Sequence, residues 1–339
     1  MFSTSRWVDL RQQCVSLNRP ELFSEVKNVV LASKEKSTLN NYSRYFKKFT
    51  DWCSVSKTNH LPAKPSTVAL YLVSKIQSDS KCGKSKLNQI FYAISWAHDT
   101  ASVFNPCKDN WLHLCLNGCI RIVAKPVVKK EPITSHIVRQ LVQRFASENC
   151  PLGDLRIITL FVLAFAGFFR INEVLNLKRS DFTFFDAYCC IFLEKSKTDV
   201  LRQGNEVLIA RTGKVTCPVC LVERYFRVAD ISDDSDEYIF RAVTFNKRTG
   251  KYMLRNNNKH LCYTTVSDLF KEKLTVLGLN ASAYGLHSFR SGAASISANN
   301  NTCERLWQKA GRWRSVSARD GYVQDSLEAR LSVSLNLDL

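Results

Sequence analysis

The chain reads as a mainly α-helical protein with one small antiparallel β-sheet, built as an N-terminal helical domain and a C-terminal mixed α+β domain. Three observations predict this. Apolar residues recur at helical spacing through most of the 339 residues. The period drops to two between Asp181 and Ala210, where Phe182-Phe184, Ile191-Leu193 and Val207-Ile209 suggest three antiparallel strands. A basic stretch, residues 117–132, holds Pro126 and Pro132 and reads as an extended linker between two helical patterns.

Composition narrows the class. With 45% apolar and 23% charged residues the chain can bury real cores. A net charge of +18 argues for a polyanionic partner, nucleic acid being the commonest. Thirteen cysteines, an odd number without a framework, read as reduced, buried thiols of an intracellular protein. Arg6, Asp9 and Arg11 stand where a signal peptide would carry an apolar core. The longest apolar run, Ile157 to Phe169, is too short to span a bilayer and reads as a buried helix, so no membrane partner is expected.

Each element has a local reason. Residues 1–34 form a polar arm in which Pro20 opens a short helix, Glu21 to Ala32. Residues 35–116 form the helical domain. Ser37-Thr38 caps a helix with Leu39, Tyr42, Phe46, Phe49 and Cys53 on one side and Arg44, Lys47 and Lys48 on the other. Pro62 and Pro65 break the chain, and Ser66 caps the next helix. A basic loop with Lys84 and Lys86 leads to a helix carrying Leu87, Ile90, Phe91 and Ile94, and Asn105-Pro106 starts a last helix ending at Leu116. The linker holds Lys125, Lys129 and Lys130, suited to a phosphate backbone or to a nuclear-import signal. Residues 133–323 form the second domain. Thr134 caps a helix to Ala146, and Gly153-Asp154 opens the buried helix that ends in Arg170. Phe240 to His260 is a basic loop with Phe245 and Tyr252 interleaved, and Tyr263 to Leu277 is an amphipathic helix. Cys217-Pro218-Val219-Cys220 has metal-like spacing. No second pair follows, and His260 and Cys262 are only loose candidates. Pro218 therefore reads as the start of a helix with its thiols packed inside, and no metal is expected. Residues 324–339 form a tail whose Leu327, Leu331, Val333, Leu335 and Leu337 are apolar enough to pack on something.

The chemistry concentrates between His287 and Tyr322. His287 and Arg290 share one face at the start of a helix from Ser288 to Ala298. Trp313 follows a turn at Gly311, and Tyr322 lies nine residues beyond it. A phenol, cationic groups and an indole donor suit attack of a tyrosine on a phosphodiester, with donors holding the phosphoryl oxygens. These residues resemble the second signature box of the tyrosine recombinases, the phage-integrase and Cre-type family. Arg170-Ile171-Asn172-Glu173 resembles the first box, and the likeness runs from residue 35 to about residue 330. Ser291-Gly292-Ala293-Ala294 and Gly311-Arg312-Trp313 look most like the eukaryotic mobile-element branch, Crypton-like or DIRS/Ngaro-like.

The resemblance implies a helical core-binding domain plus a catalytic domain of the tyrosine-recombinase type. It implies a site-specific recombinase or integrase that cuts and rejoins double-stranded DNA through a 3′-phosphotyrosine, without metal, cofactor or ATP. Tyr322 would be the nucleophile. Arg170 and Arg290 would bind the non-bridging oxygens, Trp313 would donate to them, His287 would assist Tyr322, and Glu173 would orient the site. Lys197, with Lys195 as runner-up, would protonate the leaving 5′ oxygen from a hairpin tip. Arg44, Lys47, Lys48, Lys84, Lys86, Lys125, Lys129 and Lys130 would contact DNA. A tetramer assembled on DNA, a nuclear location, and a tail docking on a neighbouring subunit or in cis complete the expectation. Two alternatives stay open: a domesticated DNA-binding protein that has lost strand transfer, and a type IB topoisomerase. The pair Arg312-Trp313, where many relatives carry Gly-His, is a departure.

Overall fold

A computed structural model describes residues 4–194 and 204–337. The chain divides into two compact units, 1–127 and 128–339.

The first unit is all helical: α1 (Ser5–Ser16), α2 (Leu22–Ala32), α3 (Lys36–Val55), α4 (Pro65–Ser78), α5 (Lys84–Ala101) and α6 (Asn110–Ile122). Phe46, Phe49 and Cys53 of α3 meet Val68, Tyr71 and Leu72 of α4, Leu87, Ile90, Phe91 and Ile94 of α5, and Leu112, Leu116 and Cys119 of α6. Pro65 does not break the chain; it occupies the first turn of α4, where its missing N–H costs nothing. Asp109 caps α6 by accepting from the Leu112 N–H. That helix runs on to Ile122, past the expected end at Leu116, and the irregular segment begins only afterwards. The N-terminal arm is more ordered than its pattern suggested. In α1 only Trp7 and Cys14, two turns apart, are buried, and the Trp7 indole N–H donates to the Thr100 carbonyl at 2.7 Å.

The second unit is mixed, as expected: α7 (Ser135–Phe145), α8 (Leu152–Ala166), α9 (Ile171–Leu175), β1 (Phe182–Phe184), β2 (Tyr188–Leu193), β3 (Asn205–Ala210), α10 (Pro218–Val228), β4 (Val243–Asn246), β5 (Lys251–Leu254), α11 (Tyr263–Val276), α12 (Ser288–Asn299), α13 (Glu304–Ala310), α14 (Val316–Asp320) and α15 (Leu327–Leu335). Helix α8 is buried nearly all round, which an unbroken apolar run demands. Its Phe161 stacks on Phe289 of α12 at 5.0 Å and meets Phe270 of α11 edge-on at 5.2 Å. The sheet is antiparallel in the order β1-β2-β3, with Phe182 opposite Ile191 and Ile191 opposite Val207. Phe182, Cys189, Ile191, Leu193, Val207 and Ile209 line its buried face.

Three expectations are corrected. Helix α8 stops at Ala166, so Arg170 does not end it; a turn with left-handed Phe168 (φ 51°) intervenes. The basic segment after Phe240 is a two-stranded hairpin, β4–β5, with Phe245 and Tyr252 paired across it at 5.2 Å. The thirteen cysteines are unpaired, but Cys220, Cys262 and Cys303 are exposed rather than buried. No helix among the described residues is long and apolar enough to cross a membrane.

Candidate active site

The site grows from the turn between α8 and α9. Gly167 lies against the Phe169 ring, where an added Cβ would sit 2.2 Å from a ring carbon. Phe168 then adopts its left-handed conformation, which costs a non-glycine residue about 1–2 kcal/mol. The cost is offset by what the turn presents: the Phe168 carbonyl accepts from the guanidiniums of both Arg290 and Arg312. Arg170 caps α9. Its N–H donates to Glu173 Oε2 at 2.9 Å, and its Nη1 donates to Glu173 Oε1 at 2.7 Å.

Helix α12 delivers the second arginine. Gly292 lets the helix lie against the segment before α7, since a Cβ there would come within 1.9 Å of the Ile133 carbonyl oxygen. The Ile133 N–H donates to the Ser288 carbonyl at 2.9 Å, fixing the helix start. Arg290 is fully buried. Its two Nη groups donate to the carbonyls of Phe168 and Gly311, while its Nε has no partner. His287 stands exposed at the N-terminal boundary of the same helix.

The third contribution comes from the turn after α13. Gly311 has to be glycine, because a Cβ would strike the Trp313 ring at 1.7 Å. Arg312 is left-handed (φ 57°) and buried, donating from Nη2 to Glu173 Oε2 at 2.8 Å and from Nη1 to the Ala310 carbonyl at 2.9 Å. Trp313 packs edge-on against Phe168 at 5.9 Å and Trp307 at 5.8 Å. The Tyr322 ring lies 5.4 Å from Trp313, and the Arg290 guanidinium sits over both, 4.4 Å from Trp313 and 5.2 Å from Tyr322. Beyond Tyr322, the Gln324 N–H donates to Ser295 Oγ at 2.9 Å and the Ser326 N–H to Asn299 Oδ1 at 3.0 Å, so α12 grips the tyrosine segment.

Three guanidiniums thus surround one carboxylate. Burial pushes the Glu173 carboxyl up, but Arg312, the Arg170 N–H and the Arg170 guanidinium outweigh it and hold the group below its usual range. Burial, then the nearby Arg170 and Arg312, pull Arg290 down to about 10. Arginine keeps its proton at any ordinary pH, so Arg290 stays a buried cation with two further arginines close by. The Trp313 indole N–H is buried without a partner, and leaving such a donor unpaired costs about 1–3 kcal/mol. Buried cations beside unpaired donors form a preorganised receptor for an oxyanion.

Of the residues singled out in the sequence, Arg170, Glu173, Arg290, Trp313 and Tyr322 come together here, with His287 at the edge. Lys197 and its runner-up Lys195 lie outside the described residues. Arg312 was missed as a site residue; its place beside Trp313 was the available signal. Ser295 and Asn299 were missed too, and nothing in their spacing marks them. Arg44, Lys47 and Lys48 are exposed on α3, and Lys84, Lys125 and Lys129 are exposed as well. Lys86 is paired with Asp79, and Lys130 donates to the Ser282 carbonyl.

The chain resembles known proteins in both sequence and fold. The model of the phage integrase family matches residues 132–328, more than half of the chain. An integrase/recombinase xerD homologue of Selenomonas ruminantium is 27% identical over 311 residues, covering 91% of this chain and 87% of that protein. Recombinase cre of Escherichia phage P1 is 23% identical over 288 residues, covering 81% of this chain and 80% of the other. Among solved structures, the Tn1549 transposon integrase in complex with transposon right-end DNA shares the fold with a TM-score of 0.59 at 12% identity, over 90% of this chain and 95% of that one. A lambda integrase dimer bound to a core site does so with a TM-score of 0.54 at 16% identity, over 89% and 76%. The chain therefore belongs to the phage integrase family and is a site-specific tyrosine recombinase, of the class that cleaves and rejoins DNA through a tyrosine intermediate.

Proposed function

We propose that Tyr322 is the nucleophile of this recombinase and that the arginine cluster is its phosphate receptor. The observation that carries the reading is the Arg290 guanidinium, buried over the rings of both Trp313 and Tyr322 with no carboxylate bonded to it among the described residues. The tyrosine oxygen attacks the scissile phosphorus, a 3′-phosphotyrosine forms, and the 5′ oxygen leaves as a hydroxyl. Arg170 and Arg290 hold the two non-bridging oxygens, a task suited to planar forks. Trp313 adds an indole donor, and Glu173 fixes Arg170. His287 takes or shares the phenol proton, and Lys197 protonates the leaving oxygen. A 5′ hydroxyl from a second strand reverses the step. The ester conserves the bond energy, so no ATP is required.

Exposed Arg44, Lys47, Lys48, Lys84, Lys125 and Lys129 give this chain phosphate contacts on double-stranded DNA. The DNA-bound relatives support that reading. Lys86 and Lys130 already have protein partners and contribute less. Assembly as a tetramer on DNA is supported by α15, whose Leu327, Leu331 and Leu335 are all exposed and await cover by another subunit. The Ser291–Ala294 and Gly311–Trp313 wording supports integration or excision of a eukaryotic mobile element of the Crypton-like or DIRS/Ngaro-like kind, acting in the nucleus.

The test is covalent trapping. Purified protein meets a pool of nicked duplexes in EDTA, and denaturing gels reveal any protein–DNA adduct. An adduct lost in Tyr322→Phe is the expected result. Salt-sensitive binding without an adduct, on a duplex already shown to contain the cognate site, would instead assign the chain to DNA-binding proteins that have lost strand transfer.

A further inference from the structure

The Cys217-Pro218-Val219-Cys220 motif plays no part in the recombination site, and its surroundings are unlike those of the other cysteines. Cys217 is the N-cap residue of α10 and is fully buried, whereas Cys220, in the first turn of the helix, is exposed. The two cysteines stand three residues apart at the N-terminal turn of the helix. The Cys217 sulfur accepts the Thr212 N–H at 3.2 Å. A guanidinium nitrogen of Arg211 lies 3.5 Å from the Cys220 sulfur, and that arginine is itself locked in a two-pronged pair with Glu223 at 2.7 and 2.6 Å.

We propose that Cys217 and Cys220 form a reversible dithiol–disulfide site, in which Cys220 reacts with a low-molecular-weight disulfide from solvent and Cys217 resolves the product. Residues three apart in a helical turn lie within the separation a disulfide spans. The division of labour follows from access. Burial pushes the Cys217 thiol up, hydrogen bonding around its sulfur brings it down to about 7, and its full burial closes it to any bulky oxidant. Cys220, exposed in the first turn of the helix, is the one solvent reaches.

The chemistry balances. The Cys220 thiol gives up its proton to solvent. The Cys220 thiolate, favoured by Arg211, attacks one sulfur of the small disulfide RSSR, forming Cys220–S–S–R and releasing RS⁻. Cys217 gives up its proton to solvent and attacks the Cys220 sulfur, forming the internal disulfide and releasing a second RS⁻. Two cysteine thiols are oxidised and one RSSR is reduced to two thiols. A structural zinc is the competing use of such spacing. It needs four ligands, and no cluster of three or more His, Cys, Asp or Glu side chains suited to a metal occurs among the described residues.

Cys262 supplies an internal control. It is exposed, it caps α11 and is held by Thr264 and Thr265, and it has been drawn down to about 7, but its sulfur has no second thiol among its partners. Full-length protein is incubated under native conditions with graded ratios of oxidised to reduced glutathione, quenched in acid, alkylated and mapped by mass. The expected result is a peptide Val215–Arg224 that loses two hydrogens and retains no glutathione, while the Cys262 peptide keeps its glutathione. In Cys217→Ser, Cys220 keeps its glutathione too. In Cys220→Ser, Cys217 stays unmodified. The proposal is overturned if the wild-type pair remains a dithiol while Cys262 reacts, or if the Cys220 adduct is equally persistent with and without Cys217. Equilibration with zinc alone distinguishes the competing use: stoichiometric zinc lost in both serine variants would also overturn it.

Discussion

His98 in the first unit and Arg290 in the second are equally hidden from solvent and are kept there in opposite ways. His98 is fully satisfied. Its Nε2 accepts the Ala63 N–H at 3.0 Å and its Nδ1 meets the Ile94 carbonyl at 2.7 Å. That pairing specifies the neutral ring with its proton on Nδ1, and burial pulls its pKa down, keeping it neutral. Arg290 is permanently charged, one of its nitrogens has no partner, and two further arginines press on it. A buried polar group that is neutral and fully paired ties helices together. A buried cluster with charge to spare and donors left over is waiting for something the chain does not contain.

The comparison can be broken by substitution. In Arg290→Met, strand cleavage should fall by about 10²–10³-fold, the loss seen when one preorganised donor is removed. The denaturant midpoint should not drop, because replacing a poorly compensated buried charge by an apolar side chain is commonly neutral or stabilising. Unfolding of this variant would show that Arg290 is architecture after all. Glu173→Gln should cost about 3 kcal/mol of stability at neutral pH, since both Arg170 and Arg312 lose their buried counter-ion. The pH dependence has a fixed sign. Glu173 binds its proton less readily folded than unfolded, so its stabilisation is complete above the ordinary value of 4.5 and is lost as pH falls below it. Urea titrations should show wild type and variant converging in acid, and a constant gap would refute the assignment.

His98→Leu should cost about 2 kcal/mol by stranding the Ala63 N–H and the Ile94 carbonyl, with strand cleavage under folded conditions unchanged. A loss of cleavage in folded protein would erase the distinction between the two residues. The smallest effect is a sharpening one. Inorganic phosphate at tenfold its Kd should stabilise the wild type by about 1.4 kcal/mol. Chloride at equal ionic strength should not, and Arg290→Met should lose the difference.

Much of the second unit was legible because its signals are local. Alternation named the three strands, and an unbroken apolar run named α8. The likeness of two short boxes named five residues that do meet in space. What stayed hidden depends on backbone conformation. Left-handed φ at Phe168 and Arg312 has no mark in a non-glycine residue, so neither the shared carbonyl nor the Arg312–Glu173 pair was visible. In α1, Val8 and Val15 are exposed while Trp7 and Cys14 are buried, so its apolar residues do not form one stripe. The β4–β5 hairpin is mostly exposed and therefore lacks the apolar alternation that marks a buried strand.

The grip of α12 on the residues after Tyr322 has a consequence for how labour is shared among copies. Ser295 and Asn299, which hold that segment, stand on the same helix as Arg290, and all belong to one polypeptide. In this structure Tyr322 and its proposed oxyanion receptor are therefore held together within one chain. A mixture of one copy lacking Tyr322 and another lacking Arg290 has no intact cutting centre to assemble, and heterotypic complementation should fail.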